Sequence, residues 1–356
     1  MKVMIVTDAW LPQVNGVVTT LGKIGEGLNR LGHEVRFVTP LQFKSIPCPT
    51  YPEIRLSLMP FSGVSRQIEE FAPDAIHIAT EGPLGIAARR YCLKRRIAFT
   101  SAFHTRFAEY VHARFRVPVQ LTYRWLRHFH APARAVMVPT PSVQRDLEAR
   151  GFSNTVAWTR GVDTGTFSPG ERKALTTERP IYLYVGRVAV EKNIEAFLKL
   201  DLDGSKWVVG EGPSRAQLQR RYPDVRFDGI KTAAELASYY RAADVFVFPS
   251  LTDTFGLVML EALACGTPVA AFPVLGPIDV IGNSGAGALH EDLKVACQQA
   301  LEIPRQKARQ YAEQFSWQAS IDQFIEHLTP VNAAVKLAAS PPDAFLAVAA
   351  PAQKKG

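Results

Sequence analysis

The sequence has little cysteine, no long apolar run and no closely spaced metal ligands. Its four cysteines, Cys48, Cys92, Cys265 and Cys297, lie far apart and include no C-x-x-C pair. This spacing argues against a disulfide scaffold or a zinc site and favours reduced core thiols. The longest apolar stretches are interrupted within about a dozen residues, whereas a membrane span needs about 20. The apolar run in the opening MKVMIVTDAW is too short for a signal peptide, so we expect a cytoplasmic protein.

Length and charge both divide the chain into two parts. At 356 residues the chain exceeds one average domain, so we expect two cores of about 150 residues each. The net charge is +8, yet residues 1–165 hold 21 Lys/Arg against 12 Asp/Glu, and the remainder holds 20 against 21. All of the excess positive charge therefore lies in the first half.

Short β-branched runs alternate with amphipathic helical patterns along most of the chain. The first run, at 3–7, is followed by apolar residues at helical spacing from Val17 to Leu31 and then by EVRFVT at 34–39. This succession predicts a βαβ unit. Further strands are predicted at 75–79, 97–101, 135–138, 181–185, 206–209, 225–227, 245–248 and 268–271. The predicted fold class is α/β, with two doubly wound, Rossmann-like parallel-sheet domains.

A polar segment containing glycine and proline, at 163–180, separates the two sets of strands and is predicted to be a linker. It divides an N-terminal domain over 1–165 from a C-terminal domain over 175–305. A long helix over 305–330 is expected to return to the first domain, and the Ala/Pro-rich residues 331–356 are expected to form a flexible tail. Because ligands of such sheets bind beyond the carboxyl ends of the strands, a cleft between the domains is the expected site.

The stretch TDTFGLVMLEALACGTPVA at 252–270 holds two carboxylates eight positions apart. Asp253 precedes a helix predicted to begin near Phe255, and Glu261 lies about 7 Å past Gly256 at roughly 1.5 Å per residue. This separation argues against a close catalytic pair and suits two contacts with one elongated ligand, such as a sugar and a ribose. A helix cap and a paired helix carboxylate would explain the same two acids.

Two cations follow the strand at 181–185. In VGRVAVEKN, Arg187 and Lys192 lie at its carboxyl end, where charge-assisted hydrogen bonds suit a diphosphate. Two solvated surface charges are the alternative interpretation. The DLD at 201–203 resembles a metal-binding D-x-D motif, but it precedes a strand and is interpreted as a turn.

Three weaker signals lie in predicted loops. GEGP at 210–213 supplies glycines that let a backbone approach a ligand closely. Asn15 and Gly16 open the first helix without a full G-x-G-x-x-G fingerprint. His104 follows a strand and so lies at the expected edge of the cleft. An ordinary turn, a capping turn and a structural histidine are the respective alternatives.

Taken in order, six segments resemble the retaining nucleotide-sugar glycosyltransferases of family four, which have the GT-B fold and include bacterial mannosyltransferases and glycolipid synthases. The segments are PQVNGVVTTL, AFHTRF, GRVAVEKN, GEGP, DVFVFPS and TDTFGLVMLEALACGTPVA, and the resemblance extends to about residue 328. It implies a UDP- or GDP-linked sugar donor, an N-terminal acceptor domain, a C-terminal donor domain, retention of configuration and no metal or other cofactor. The family motif has glutamate where this chain has Asp253, and glycine is commoner at the position of Asn15.

The resemblance also implies roles for individual residues. His104 would contact the donor sugar, Arg187 and Lys192 the diphosphate, and Asp253 the sugar hydroxyls, which makes these four the catalytic set. The residues implied in donor binding are Gly16, Gly186, Gly210, Gly229, Ile230, Lys231, Thr254, Phe255, Gly256, Leu257 and Glu261. Within that set Glu261 would bind the ribose, and the segment from Gly229 to Lys231 would contact the base.

Residues 89–134 combine cations with aromatic side chains, with 11 Lys/Arg against one acid, Glu109, and nine aromatics. Such a segment suits an anionic membrane surface, where each cation contributes about 1 kcal/mol. We therefore expect a lipid or lipid-linked acceptor and peripheral attachment to the inner face of the membrane. The residues expected at this surface are Arg95, Arg96, Arg106, Arg114, Arg116, Arg124 and Trp125. A nucleic-acid face and a merely soluble basic surface are the alternatives, and we expect no nucleic-acid partner.

Other functions fit parts of the pattern. An NAD-type oxidoreductase would also use tandem α/β domains, but the first loop lacks its full Gly-rich fingerprint. A nucleotide-sugar epimerase of the same fold, a glycosyltransferase with a non-lipid acceptor and a non-catalytic sugar-nucleotide or RNA-binding protein are the remaining alternatives. The sequence does not identify the donor base, the sugar, the acceptor or the oligomeric state.

Overall fold

Two six-stranded parallel sheets, each covered by helices, form the part of the chain that the computed structural model describes, residues 1–48, 51–172 and 178–333. The expected α/β class with two doubly wound sheets is therefore confirmed. The predicted tail over 331–356 lies outside the described residues from position 334 onward.

The N-terminal domain contains one parallel sheet, a small hairpin and six helices in the described part of the chain. Its strands are β1 (Lys2–Val6), β2 (Glu34–Val38), β3 (Ser45–Cys48), β4 (Tyr51–Ser57), β5 (Ala75–Ile78), β6 (Thr100–Ala102), β7 (Val136–Val138) and β8 (Thr155–Ala157). Its helices are α1 (Gly16–Arg30), α2 (Phe61–Phe71), α3 (Pro83–Arg95), α4 (Phe107–Phe115), α5 (Val119–His130) and α6 (Pro141–Ala149). The sheet order is β2-β1-β5-β6-β7-β8, and β3 pairs with β4 antiparallel.

The C-terminal domain repeats this arrangement. Its strands are β9 (Ile181–Val185), β10 (Ser205–Val209), β11 (Arg226–Asp228), β12 (Val245–Phe248), β13 (Val269–Ala271) and β14 (Gly287–Leu289). Its helices are α7 (Ile194–Leu198), α8 (Arg215–Arg221), α9 (Ala233–Ala242), α10 (Leu257–Ala264), α11 (Pro277–Val280), α12 (Leu293–Leu301) and α13 (Arg305–Ala312), and the last described helix of the chain is α14 (Trp317–His327). The sheet order is β11-β10-β9-β12-β13-β14.

Each sheet is buried on both faces, as its apolar sequence requires. In β1, Met4 and Val6 join one core cluster, whereas Val3 and Ile5 join the cluster on the opposite face. This alternation follows from the two-residue period of a strand. Helices on both faces are the usual environment of a parallel sheet, so near-continuous apolar runs were a sound basis for predicting these strands.

The single returning helix predicted over 305–330 is wrong, because the chain forms two helices there. Ala308 and Ala312 of α13 are buried in the C-terminal core, where α13 packs against α10. Ser316 then starts α14, its side chain accepting a hydrogen bond from the Gln318 amide at 3.0 Å. Only α14 crosses to the N-terminal domain, where it packs against α1.

Helix α14 completes a core of the N-terminal domain. Its Ile321 and Phe324 are fully or almost fully buried in one cluster with Leu21, Ile24 and Trp158. The Trp158 indole donates a hydrogen bond to the carbonyl of Ser320 at 3.0 Å. The first domain is therefore covered on this face by a segment that follows the second domain in the chain.

The site between the domains lies where each sheet reverses its winding direction. In the first sheet the order reverses between β1 and β5, and in the second between β9 and β12. Ligands of doubly wound sheets bind at these switch points, beyond the carboxyl ends of the strands. Direct contacts join the two sides, since the Thr254 hydroxyl donates to the His104 carbonyl at 2.6 Å and the Ser142 amide donates to Asp279 at 3.2 Å.

Candidate functional site

The loops predicted to bind a ligand converge at this cleft. The segment after β9 carries Arg187 and Lys192, and the segment after β12 carries Asp253. From the N-terminal domain, the helix α1 that Gly16 opens and the loop containing His104 face them. A Cβ added to Gly16 would lie 3.6 Å from Leu257, so the first turns of α1 and α10 are adjacent across the cleft.

Lys192 and Asp253 form a close ion pair. The Lys192 amine lies 2.5 Å from Asp253 Oδ1, and the two side chains are 21% and 17% exposed. Burial opposes the lysine charge, but the neighbouring Asp253 carboxylate raises the pKa of the amine above its usual value. The second carboxylate oxygen, Oδ2, is buried and has no hydrogen-bond partner among the described residues. Asp253 thus holds the lysine with one oxygen and has a second available for a ligand.

Tyr110 reaches this pair from α4 of the N-terminal domain. Its hydroxyl lies near the Lys192 amine, which lowers the pKa of this phenol, while burial is the larger effect and raises it. The sequence analysis did not identify Tyr110, and the only signal available was its position six residues after His104 in the same segment. Lys192 therefore contacts groups from both domains.

Arg187 also faces the N-terminal domain. Its guanidinium lies 4.0 Å from the carboxylate of Glu53 in β4, and its side chain is 20% exposed. The Tyr184 hydroxyl donates to the Arg187 carbonyl at 2.7 Å and so fixes the turn that follows β9. A second cation is thereby held in the segment that follows β9, which also carries Lys192.

Gly186 and Gly210 let two loops approach each other at the carboxyl edge of the second sheet. Their φ angles are +150° and +139°, which favour glycine. A Cβ on Gly210 would overlap the carbonyl oxygen of Gly186. Gly210 therefore sets the distance between the GEGP turn and the loop that carries Arg187.

Replacing this glycine should destabilise the C-terminal domain. We expect Gly210→Ala to lower the free energy of unfolding by about 2–4 kcal/mol, because the new methyl group meets backbone and the residue must keep a positive φ. Gly22→Ala is the matched control, since a Cβ there meets nothing within 4 Å and should add about 0.5–1 kcal/mol to helix α1. Denaturant unfolding measures both; an equally stable Gly210→Ala protein would show that the loops can separate freely.

The two helix starts at the cleft differ in how they are capped. In α1, the Asn15 side chain accepts hydrogen bonds from the amides of Val17 and Val18, each at 3.0 Å. The capping interpretation of Asn15 is therefore correct. In α10, Gly256 is the N-cap at φ +86° and supplies no side-chain cap, and the helix begins at Leu257 rather than at Phe255. The uncapped amides at the cleft thus belong to α10.

Glu261 lies in the same helix α10, about one turn after its first residue, Leu257. The Tyr240 hydroxyl donates to its Oε2 at 2.9 Å. Burial raises the pKa of this carboxyl to about 7, although the bond from Tyr240 opposes the shift. Within the described ranges, the hydrogen bond from Tyr240 engages Oε2 alone, and Oε1 is compatible with the ribose contact that the resemblance implies.

Ionising Glu261 should weaken the fold. The folded protein holds this proton more tightly than the unfolded chain, so stability falls as the pH rises from about 4.5 to about 7. We expect wild type to lose about 2 kcal/mol more than Glu261→Gln between pH 5 and pH 7.5. Denaturant unfolding at both values measures this difference. Burial also raises the pKa of Asp8 to about 6, but its effect on stability is the same in both proteins and cancels in the difference. Identical pH dependences of the two proteins would mean that the Glu261 carboxyl is in contact with water.

His104 lies at the boundary between the domains. Its carbonyl accepts the hydroxyl of Thr254, and its ring Nδ1 lies 3.4 Å from the Arg160 guanidinium. Ring nitrogen Nε2 is buried and has no partner among the described residues. The predicted position at the edge of the cleft therefore agrees with the structure, while the contact with Arg160 was not predicted.

The remaining residues that the resemblance implies in donor binding lie along the same edge. Phe255 is buried, whereas Ile230 is 59% exposed in the loop after β11. Lys231 in that loop lies 3.9 Å from Glu235 and 5.9 Å from the ring centre of Tyr239. This loop is next to the GEGP turn, because β10 and β11 are paired neighbours.

The predicted membrane residues fall into separate places. Arg95 and Arg96 end α3, which starts at the carboxyl ends of the strands and so ends at the opposite edge. Arg106 is only 15% exposed and bonds Glu109 at 2.6 Å, so its assignment to an exposed surface is wrong. The side chain of Arg114 lies outside the described residues.

Helices α4 and α5 nevertheless present an exposed apolar surface near the cleft. Phe107, Phe115 and Leu121 are 42%, 64% and 49% exposed. Arg116 and Arg124 are exposed in the same two-helix segment, and Trp125 packs between Phe107 and Phe129. We call Phe107, Phe115, Arg116, Leu121 and Arg124 the α4–α5 surface. Every helix in the described ranges is too short or too polar to span a bilayer.

Other concave or acidic features do not include the predicted site residues. A surface concavity of about 800 Å³ borders β14 and includes Pro273, Asn283 and Gln299. Asp201 of the DLD segment precedes β10 and pairs with Lys294 at 3.6 Å. The described ranges contain no group of three or more metal-binding side chains.

Comparison with known proteins gives matches over both domains. The family profile of Glycosyltransferase Family 4 matches residues 14–166, and that of Glycosyl transferases group 1 matches residues 179–303. A GDP-mannose-dependent alpha-mannosyltransferase of Mycobacterium tuberculosis is 30% identical, over 81% of this chain and 83% of the relative. An alpha-monoglucosyldiacylglycerol synthase of Streptococcus pneumoniae is 27% identical, over 85% and 78%. The solved structure of sucrose-phosphate synthase from Thermosynechococcus elongatus matches with a TM-score of 0.73 at 22% identity, over 91% and 97%.

Proposed function

This chain belongs to glycosyltransferase family 4 and has the GT-B fold, and from that premise we propose that it transfers a hexose or hexuronic residue, with retention, from a UDP- or GDP-sugar to a lipid hydroxyl. The observation that carries the proposal is the convergence of Arg187, Lys192 and the uncapped start of α10 at the switch point of the second sheet. Cations and free helix amides at that position suit a diphosphate.

The names of the relatives support both parts of the donor and acceptor proposal. The mycobacterial relative uses GDP-mannose, and the streptococcal relative is named for a glucosylated diacylglycerol. A mannosyl or glucosyl donor and a lipid such as diacylglycerol or a lipid-linked glycan are therefore the proposed substrates.

The proposed chemistry needs positive charge at the leaving group. As the bond from the anomeric carbon to the diphosphate oxygen breaks, Arg187 and Lys192 neutralise the charge that develops on the diphosphate. These two side chains would supply that charge without a metal ion. The protein contributes electrostatic stabilisation and orientation, while closure of the cleft would limit hydrolysis of the donor.

Retention would follow from attack on the face that the diphosphate leaves. The acceptor oxygen bonds the anomeric carbon there, and its proton passes to the departing phosphate oxygen. Asp253 is held by Lys192 and Glu261 by Tyr240, which suits binding roles for both carboxylates better than a double displacement.

The α4–α5 surface supports a membrane acceptor. Exposed aromatic and aliphatic side chains alternate there with Arg116 and Arg124, and Tyr110 of the same helix α4 contacts the lysine of the cleft. Apolar groups that enter the headgroup region next to cations are typical of interfacial binding. A lipid held at this surface would have its hydroxyl close to the donor.

Donor binding and lipid-dependent turnover test the proposal together. In a thermal-shift assay of GDP, UDP and ADP, the nucleotide of the true donor should raise the melting temperature most. Incubation with the matching UDP- or GDP-sugars should then release nucleoside diphosphate only when lipid vesicles are present, and also in the presence of a chelator. Lipid-independent interconversion of the sugar would favour the epimerase, and failure of every nucleotide to bind would overturn the proposal.

Vesicle co-sedimentation tests the membrane surface separately. Wild type should sediment with vesicles of anionic phospholipid at low salt and less well with neutral vesicles. Leu121→Asp should reduce this binding, whereas Leu41→Asp should not, although Leu41, in the segment after β2, is the more exposed leucine, at 64% against 49%. Equal sedimentation of both variants would remove the α4–α5 surface from the proposal.

A further inference from the structure

Arg160 is a buried cation in the segment that connects the two domains. Only 3% of the residue is exposed, and its guanidinium lies 3.9 Å from the ring centre of Trp158. Nitrogen Nη1 donates to the carbonyls of Trp158 and Thr159, at 2.6 Å and 3.0 Å. Nitrogen Nη2 lies 3.4 Å from Nδ1 of His104. Within the described ranges, none of these acceptors is a carboxylate.

Burying the charge of Arg160 destabilises the fold, so we expect the charge to have a function. Burial lowers the pKa of the Arg160 guanidinium to about 9, so the group stays charged at neutral pH. A buried charge with neutral acceptors only is destabilising relative to an apolar side chain. The carbonyl contacts and the Trp158 ring offset part of this cost, and the remaining contact of the guanidinium is with His104.

The direction of that contact fixes the state of the histidine ring. A guanidinium has donors and no acceptor, so His104 Nδ1 must accept and cannot carry a hydrogen. Burial, and then the charge of Arg160, hold the pKa of His104 well below its usual value, and the neighbouring His77 and His130 act in the same direction. A neutral ring without hydrogen on Nδ1 carries its hydrogen on Nε2.

The other ring nitrogen, Nε2, is the one with hydrogen-bonding capacity left. Nε2 is buried and has no partner among the described residues, and a buried donor without an acceptor is destabilising. The backbone of the same residue is bonded by Thr254, next to Asp253 and the start of α10. An acceptor oxygen of a ligand in the cleft would complete the hydrogen bonding of the ring.

We propose that Arg160 is a positioning residue that keeps His104 as the neutral Nε2–H tautomer, so that the ring donates a hydrogen bond to an oxygen of the donor sugar. This inference rests on the proposed function and deepens it. It makes His104 a fixed hydrogen-bond donor rather than a group that takes or gives a proton during transfer. It also gives the uncompensated charge of Arg160 a role in the cleft.

Nitrogen NMR of the histidine rings tests the tautomer without any activity measurement. In wild type, the His104 signals, assigned by their absence from His104→Ala, should show a hydrogen on Nε2 alone and no titration between pH 5 and pH 8. In Arg160→Met the ring should stay neutral because it is still buried, but a share of the molecules should carry the hydrogen on Nδ1, which no longer faces a donor. Arg305→Met is the control, because Arg305 also bonds backbone carbonyls but lies in α13; its His104 signals should match wild type.

A double-mutant cycle tests whether Arg160 acts through His104. We expect Arg160→Met to lower kcat about 10-fold with little change in donor KM, and Arg160→Lys to restore part of the loss because it keeps the charge. In a His104→Ala background, Arg160→Met should add no further loss. Additive losses, or a wild-type ring that carries hydrogen on Nδ1 or titrates in this range, would overturn the inference. The wild-type NMR result does not depend on activity. It therefore distinguishes failure of the inference about Arg160 from failure of the proposed function.

Discussion

Lys192→Ala should lower the turnover of donor and acceptor about 10²- to 10³-fold. Lys192 is the half-buried cation in the segment after β9, held 2.5 Å from Asp253, and Tyr110 of the other domain lies beside it. Removing a group that stabilises developing charge in a dry site costs about 3–4 kcal/mol in the transition state. Initial rates at saturating donor and lipid measure this effect.

Two control variants separate a local effect from a general loss of charge. Lys199→Ala removes a lysine that is 59% exposed and pairs with Glu195, and Asp201→Ala removes the exposed partner of Lys294. Both should keep turnover within about 2-fold of wild type, as expected of exposed ion pairs. If Lys192→Ala and Asp201→Ala lost equal activity, the diphosphate site would have to lie elsewhere.

Asp253→Asn should change binding and turnover in opposite directions. Without a bound donor, the Asp253 carboxylate forms an ion pair with the Lys192 amine. Its negative charge also repels a diphosphate. The neutral amide removes both effects, so free GDP or UDP should bind about 10-fold more tightly. Turnover should nevertheless fall about 10- to 100-fold, because the buried Oδ2 can no longer accept a charged hydrogen bond from the donor sugar.

Calorimetric titration of the nucleotide and steady-state kinetics of the same preparation give the two quantities. Asp292→Asn is a suitable control, since Asp292 caps α12 through a 2.8 Å bond to the Lys294 amide and asparagine caps equally well. Weaker nucleotide binding by Asp253→Asn would mean that the carboxylate orients Lys192 for the phosphates instead of competing with them.

Much of the cleft could be predicted because it depends on chain order. A parallel strand ends at the same edge as its neighbours, so Arg187, Lys192 and Asp253 were expected together once β9 and β12 had been recognised from their apolar runs. The same reasoning placed His104 beyond β6. These predictions required strand periodicity and the position of each polar residue after its strand, and no knowledge of side-chain packing.

Contacts between distant segments could not be predicted in this way. Tyr110 reaches Lys192 across the cleft, Tyr240 reaches Glu261 from another helix, and Arg160 reaches His104 from the connecting segment. The periodicity and residue spacing of the sequence do not indicate such pairs, because each pair depends on how separate elements pack. The edge strands β8 and β14 were missed for a different reason, since TVA at 155–157 and GAL at 287–289 are only partly buried and lack the continuous apolar run of the central strands.

The division of the helical end of the chain illustrates the same limit. An amphipathic pattern continues through both α13 and α14, so a single helix was predicted. The cap at Ser316 ends that continuity, and burial of Ala312 on one side and Ile321 on the other assigns the two helices to different domains. The FSW at 315–317 contained the capping serine, which was the available signal.

The return of α14 to the first domain has a consequence during synthesis. The ribosome produces β1, α1 and Trp158 long before Ile321 and Phe324, which share their core. A nascent chain that has reached the second domain therefore holds all the strands of the first sheet but exposes one of its apolar faces. Incompletely covered domains of this kind bind chaperones or aggregate, so we expect the amino-terminal half of this protein to mature only after translation has passed the second domain.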